Sequence, residues 1–165
     1  MQTAIYVAGG VAIALGAIGG ASTPLTPWYR GLKKPSWQPP EWLFGPAWTA
    51  ILACGATAAV LAWNAGDSAS RTAEIIAFAV NAVYFLAWSP LFFMLRRPDW
   101  ALVEVIFLWA SVVALIVVVA PLSTLGCWLL VPYLAWVSFA TVLNRAIVLR
   151  NAPFAGRSEA VADPR

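Results

Sequence analysis

Residues 28–49 read WYRGLKKPSWQPPEWLFGPAWT. This segment holds four of the chain's ten Trp and four of its twelve Pro, interleaved with Arg30, Lys33, Lys34 and Glu41. Pro35, Pro39 and Pro40 fix the backbone in extended conformations and deny the segment a helix. No charged side chain then occurs from Trp42 to Gly66. About 20 apolar residues carry a helix across the hydrocarbon core of a bilayer. The stretch therefore reads as a stiff, aromatic, basic loop that runs into a membrane span.

Three more windows lack charge: Met1 to Tyr29, Ile75 to Leu95, and Val105 to Asn144. The first two fit one span each. The third is forty residues long and fits two, with APLSTLG (120–126) as the break. The expectation is an all-α integral membrane bundle of five helices, at about 3–22, 42–64, 72–95, 99–119 and 124–149. These form one domain over residues 1–151, followed by a small polar tail at 152–165 that is expected to be disordered. Composition agrees: 62% of residues are hydrophobic and 10% charged, against about 25% charged in soluble domains. A chain of 165 residues cannot bury so much apolar surface, so lipid must cover it. A cleaved signal peptide would place Lys or Arg ahead of the apolar core, and MQTAIYVAGG has neither, so the first window is expected to remain a span.

Five spans put loop 1, loop 3 and the C-terminal tail on one side. That side carries eight basic residues (Arg30, Lys33, Lys34, Arg96, Arg97, Arg150, Arg157, Arg165) and the other side only Arg71. Positive charge marks the cytoplasmic face. The expected orientation in a bacterial cell membrane has loop 1 and the C-terminus cytoplasmic and the N-terminus outside. The basic residues flank spans, which argues against a nucleic-acid partner.

Several chemistries are excluded. There is no His, hence no His-ligated metal and no imidazole base. Cys54 and Cys127 lie in apolar spans and read as small hydrophobes. No CxxC, P-loop or paired-carboxylate motif occurs. The sequence thus offers no catalytic residue and no required cofactor. Glu104 reads either as an intramembrane acid with a functional role or as a carboxylate near the interface. Small residues recur every four positions at Ala8, Ala12, Gly16 and Gly20, and at Ala50, Cys54, Ala58 and Ala62, a spacing that lets helices approach closely in lipid.

The tryptophans sort by depth. Trp28, Trp42, Trp63, Trp100 and Trp128 lie near span ends, where indoles form interfacial belts. Trp48, Trp88, Trp109 and Trp136 do not fit a belt. Trp48 lies about 10 Å below the loop 1 boundary and Trp88 about 12 Å below that of loop 3, at about 1.5 Å per residue. Asn81, Phe85 and Trp88 share one face of the third span. Tyr133, Trp136, Ala140 and Asn144 lie on or near one face of the fifth. Core packing and a pocket for a flat, apolar molecule both account for these stripes. Asn81 and Asn144 each need a partner, in another helix or in a ligand.

Three motifs resemble one family. PSWQPPEWLFGPAWT looks like the loop 1 and second-helix signature of the tryptophan-rich sensory protein/translocator protein family (TspO/MBR). WSPLFFMLRRPDWAL is similar to its third-helix end, and VPYLAWVSFATVLNRAIVLRN to its fifth helix. The resemblance covers residues 5–151. It implies a five-helix bundle, often homodimeric, that binds porphyrins and benzodiazepine-type ligands beneath loop 1, with cholesterol binding attributed to animal members. Trp48, Trp88 and Trp136 match the family pattern. Leu52 stands where the family has Tyr, and Asn81 and Phe85 where it has Gln and Asn.

Under this resemblance loop 1 becomes a lid. Trp37 would stack on a planar ligand, and Arg30, Lys33 and Lys34 would meet carboxylates, which suits a dicarboxylic tetrapyrrole. The expected ligand contacts are Trp37, Trp48, Leu52, Asn81, Phe85, Trp88, Tyr133, Trp136 and Ala140. A proposed sterol motif is matched by Leu25, Tyr29 and Lys33 in loop 1 but not on the fifth helix, so the pattern lends sterol binding no support. Three functions stay open: a porphyrin-binding sensor or transporter, a photo-oxidative porphyrin-degrading enzyme as the minority reading, and a regulatory scaffold tuned by ligand.

Overall fold

A computed structural model describes residues 2–154. Five long helices account for most of them: α1 (Gln2–Ala21), α3 (Phe44–Ala65), α4 (Ser68–Ser89), α5 (Pro98–Val119) and α6 (Thr124–Asn151). A short α2 (Pro27–Gly31) lies within loop 1. All five long helices are long and apolar enough to cross a membrane, and they fall where the uncharged windows lie. The all-α membrane bundle read from the sequence is the fold of the described residues.

The helix ends follow local chemistry. Asp67 caps α4, its carboxylate accepting from Ser70 N at 2.8 Å and Ser70 Oγ at 2.7 Å. These hydrogen bonds hold the Asp67 carboxyl below its usual range. Ser123 caps α6 by accepting from Gly126 N at 3.0 Å. Gly126 packs closely at this turn, since a Cβ there would lie 3.0 Å from Val119 Cγ1 and 3.2 Å from the Ser123 side chain, which would have to give way. Pro39 and Pro40 end the extended part of loop 1, and a 3₁₀ turn at Glu41–Leu43 leads into α3.

The end of α4 is irregular. Pro90 opens a π turn, Pro90–Met94, closed by Leu95 N donating to the Pro90 carbonyl at 2.9 Å. The wider turn places two consecutive aromatics inside, Phe92 at 2% and Phe93 at 8% exposure. In a regular helix, neighbours point about 100° apart and seldom share a buried face. Arg96 then adopts φ 54°, a left-handed conformation uncommon outside glycine, and reverses the chain into α5. Arg97 pairs with Asp99 across the helix start.

Around the bundle the helices run α1, α3, α6, α5, α4, and α4 returns to α1. The α1–α4 seam is packed at the loop 1 end. There a Cβ on Gly19 would lie 3.4 Å from the Phe85 ring, and Thr23 Oγ1 donates to Ser89 Oγ at 3.2 Å. The small-residue rows are used in part. Gly16 faces Leu52, whereas Gly20 faces open space. Ala58 and Ala62 are fully buried, but Ala50 is exposed. The chain stays packed past α6, since Phe154 is buried with Tyr29, Leu32, Phe92 and Phe93. The remainder of the expected tail, 155–165, lies outside the described residues.

Candidate functional site: an aromatic cavity beneath loop 1

Loop 1 is held by two anchors. The Lys33 backbone N–H donates to Asn151 Oδ1 at 2.9 Å, and Asn151 Nδ2 returns a bond to the Lys33 carbonyl at 2.9 Å. One end of loop 1 is thereby clipped to the last turn of α6. Pro35 is buried, and the turn from Pro35 to Gln38 closes through Gln38 N donating to the Pro35 carbonyl at 3.1 Å. Trp37 occupies the tip of that turn. Its side chain is 46% exposed, and its ring meets Phe139 in a T-shaped contact at 5.8 Å. The expected stacking position of Trp37 is not on the cavity wall.

Beneath the loop is a cavity of about 440 Å³, within the range of ligand pockets. Trp48 of α3, Phe85 and Trp88 of α4, and Trp136 and Ala140 of α6 line it, as does Leu52. Six of the nine expected contacts thus come together from three helices. The aromatics are interlocked: Trp48 meets Phe85 edge-on at 5.1 Å and Trp136 at 6.2 Å, and Trp88 stacks on Phe92 at 5.1 Å. Gly16, Gly19 and Gly20 form the α1 wall.

Asn81 and Tyr133 lie elsewhere. Asn81 Nδ2 donates to Ser111 Oγ at 2.9 Å, and the Tyr133 hydroxyl donates to Asn81 Oδ1 at 3.2 Å. The partner that Asn81 needs is therefore the bundle itself, in a buried knot joining α4, α5 and α6. Asn144 does line the cavity, but its amide faces the first turn of α5. In the orientation that satisfies both groups, Nδ2 donates to the Pro98 carbonyl and Oδ1 accepts from Leu102 N, each at 3.1 Å. Trp109 is exposed on the outside of the bundle, and its indole N–H donates to Ser138 Oγ at 2.9 Å. Glu104 is buried rather than interfacial in character, at 9% exposure, and neither carboxyl oxygen has a partner among the described residues.

The charges of loop 1 divide. Arg30 and Lys33 are exposed. Lys34 lies over the Tyr29 ring, with Nζ 3.7 Å from its centroid, and bonds Glu41 Oε1 at 3.3 Å. Tyr29 and Glu41 both line the cavity, so Lys34 is held against two residues of its lining. Burial pushes the Tyr29 phenol above its ordinary range, and a hydrogen bond from Gln38 Nε2 at 3.3 Å pulls the other way. Two buried polar atoms in cavity-lining residues have no partner among the described residues: Trp88 Nε1, a donor, and Gln38 Oε1, an acceptor.

Sequence reasoning missed Tyr29, Gln38, Glu41, Phe44, Phe92 and Phe93 as lining residues. Phe92 had a signal, because it continues the Phe85–Trp88 stripe at i+7 and i+4. Pro90 obscured it, since a proline reads as the end of a helical face. The loop residues carry no periodicity and had none.

Fold and cavity together define a five-span membrane protein with a predominantly apolar, aromatic pocket capped by a proline-stiffened loop. Residues 6–150 match the sequence profile of the TspO/MBR family. The chain belongs to that family. It is 37% identical over 145 residues to the tryptophan-rich protein TspO of Chlorobaculum tepidum, covering 86% of this chain and 92% of that one. It is 41% identical over 125 residues to the TspO protein of Archaeoglobus fulgidus, covering 76% and 80%. Similarity to the human translocator protein is 34% over 131 residues, or 78% of each chain.

Proposed function

We propose that the protein binds a tetrapyrrole in the cavity beneath loop 1 and acts as a membrane sensor or transporter of it. The observation that carries this reading is the pairing of indole walls with unsatisfied polar atoms in one cavity. Trp48, Trp88 and Trp136 offer apolar faces to a flat ring. Trp88 Nε1 and Gln38 Oε1 are left for a ligand that bears acceptors and donors. Lys34 is paired with Glu41, and a ligand carboxylate can take the place of Glu41 on the same ammonium. Lys33 contributes to the lid through its backbone, and Trp37 by packing the turn against Phe139. The reading places the protein as a homodimer in a bacterial cell membrane with loop 1 and the C-terminus cytoplasmic. Titrating the detergent-solubilised protein with protoporphyrin tests it. Saturable quenching of tryptophan fluorescence at one ligand per chain is expected. Quenching that rises linearly without saturation would sink the proposal.

A further inference from the structure

A second cavity, of about 540 Å³, opens at the opposite end of the bundle. It lies where α1 and α4 diverge from their contact at Gly19–Phe85 and Thr23–Ser89. Its walls are mostly small and aliphatic residues of α1, α3 and α4, among them Ala8, Ala12 and Ala59, with the rings of Trp63, Phe78 and Tyr133. Leu52, which lines both cavities, forms the partition between them.

Its polar side chains differ in state. Asn81 and Tyr133 are satisfied by each other and by Ser111. Glu74 lines the same cavity at 3% exposure, and its Oε2 has no hydrogen-bond partner among the described residues. The cation one helical turn away, Arg71, is engaged elsewhere. Its Nε donates to the Trp63 carbonyl at 3.0 Å, and its guanidinium lies 5.2 Å from the Trp63 ring. Among the described residues no ion pair joins Arg71 to Glu74.

An unpaired carboxyl in an apolar membrane cavity is costly and commonly marks a site. Lipid chains can fill such a space but supply no hydrogen-bond donor. An amine supplies one whichever partner holds the proton, since ammonium–carboxylate and amine–carboxylic acid are both hydrogen-bonded pairs. We infer that this cavity is a second ligand site, selective for small lipophilic amines, with Glu74 as the group that recognises the amine. The α1–α4 divergence provides a path from the bilayer, where such molecules concentrate. Nothing in this assignment depends on what binds in the loop 1 cavity.

Equilibrium dialysis of 1-adamantanamine against the full chain in nanodiscs, with empty nanodiscs subtracted, tests the inference. The neutral isostere 1-adamantanol is run beside it. Glu74→Gln keeps the shape and removes the acid. Gly55→Leu fills the cavity, since a Cβ at Gly55 meets nothing within 4 Å. The amine is expected to bind saturably at one per chain. It should bind about 10-fold more weakly to Glu74→Gln, as for a lost hydrogen bond to a charged group, and not at all to Gly55→Leu. Protoporphyrin quenching should be unchanged in both variants, because neither residue lines the loop 1 cavity. Equal binding of amine and alcohol to the wild-type protein, or equal amine affinity in wild type and Glu74→Gln, would reduce the cavity to an acyl-chain slot and overturn the site. Amine binding without porphyrin binding would sink the loop 1 reading and leave this one standing.

Discussion

The two cavities are of similar size, about 440 and 540 Å³, and differ in how much of their lining is aromatic. The one beneath loop 1 is walled by interlocked indoles and phenyl rings and capped by a loop that is hydrogen-bonded to α6. The other is lined mostly by Ala, Val, Leu and Ile with few rings, and the carboxyl of Glu74 is buried in it with no hydrogen-bond partner for Oε2 among the described residues. Large rings define a cavity by occupying its edges and fixing one another. Small residues define one by failing to fill the space between helices. The first kind is rigid and shape-selective. The second is shaped by what enters it, and a lone polar group dominates its preference.

The largest expected effect concerns which end faces which compartment. Arg30, Lys33, Lys34, Arg96 and Arg97 gather at the loop 1 end, and Arg71 alone is at the other among the described residues. Positive charge in short loops sets orientation, so the aromatic cavity is expected to face the cytoplasm. A C-terminal fusion should be active with a cytoplasmic reporter and silent with a periplasmic one, an all-or-none outcome. The reverse pattern would put the amine-selective cavity on the cytoplasmic side and exchange the roles of the two ends.

A smaller effect sharpens the difference in wall material. Trp88→Ala and Trp136→Ala each remove one ring face from the loop 1 cavity, and neither residue lines the other. Aromatic pairs contribute roughly 0.5–1.5 kcal/mol beyond their buried area. Porphyrin affinity should fall several-fold or more in each variant, with adamantanamine binding unaltered. Fluorescence titration is ambiguous when the reporter indole is itself removed, so the porphyrin Soret shift is the better readout. Unchanged porphyrin affinity in both variants would make these rings packing residues only.

The same contrast explains what the sequence could reveal. Uncharged windows near twenty residues long set the five spans, because lipid penalises charge throughout a span. Trp48, Trp88 and Trp136 were legible as a group because indoles away from the interface stand out in a membrane helix. Trp37 was misplaced because a proline-bounded turn, rather than a periodic element, decides where it points. The pattern leaves Asn81 to pair with another helix or with a ligand; Ser111 and Tyr133 satisfy it, and which helix supplies a partner is a tertiary fact. The second cavity was invisible. Alanine and glycine are frequent in any membrane span, and the void arises from the divergence of α1 and α4, which no local pattern encodes. Glu74 stood among other charges near a span end, where an acid needs no special account.

The smallest effect tests how the lid's charges divide. Lys34 is fixed between the Tyr29 ring and Glu41, whereas the Lys33 side chain is exposed and its backbone makes the clip to Asn151. If a ligand carboxylate takes over Lys34 from Glu41, Lys34→Ala should weaken a dicarboxylic porphyrin and spare its dimethyl ester. Lys33→Ala keeps the backbone bonds and should leave both nearly unchanged. Exposed ion pairs contribute roughly 0.2–1 kcal/mol, so the loss for Lys34→Ala is only a few-fold. Replacing the Glu41 pair rather than adding a new one keeps it at the low end of that range. Salt should shrink the difference between acid and ester, since screening acts over about 8 Å at physiological ionic strength. Glu41→Gln runs the exchange in reverse: with its resident competitor gone, Lys34 should hold the diacid slightly more tightly and the ester no differently. Equal losses for acid and ester in Lys34→Ala would mean that Lys34 serves the loop 1 cavity by seating Tyr29, a structural task, and both cavities would then select by their walls rather than by their rims.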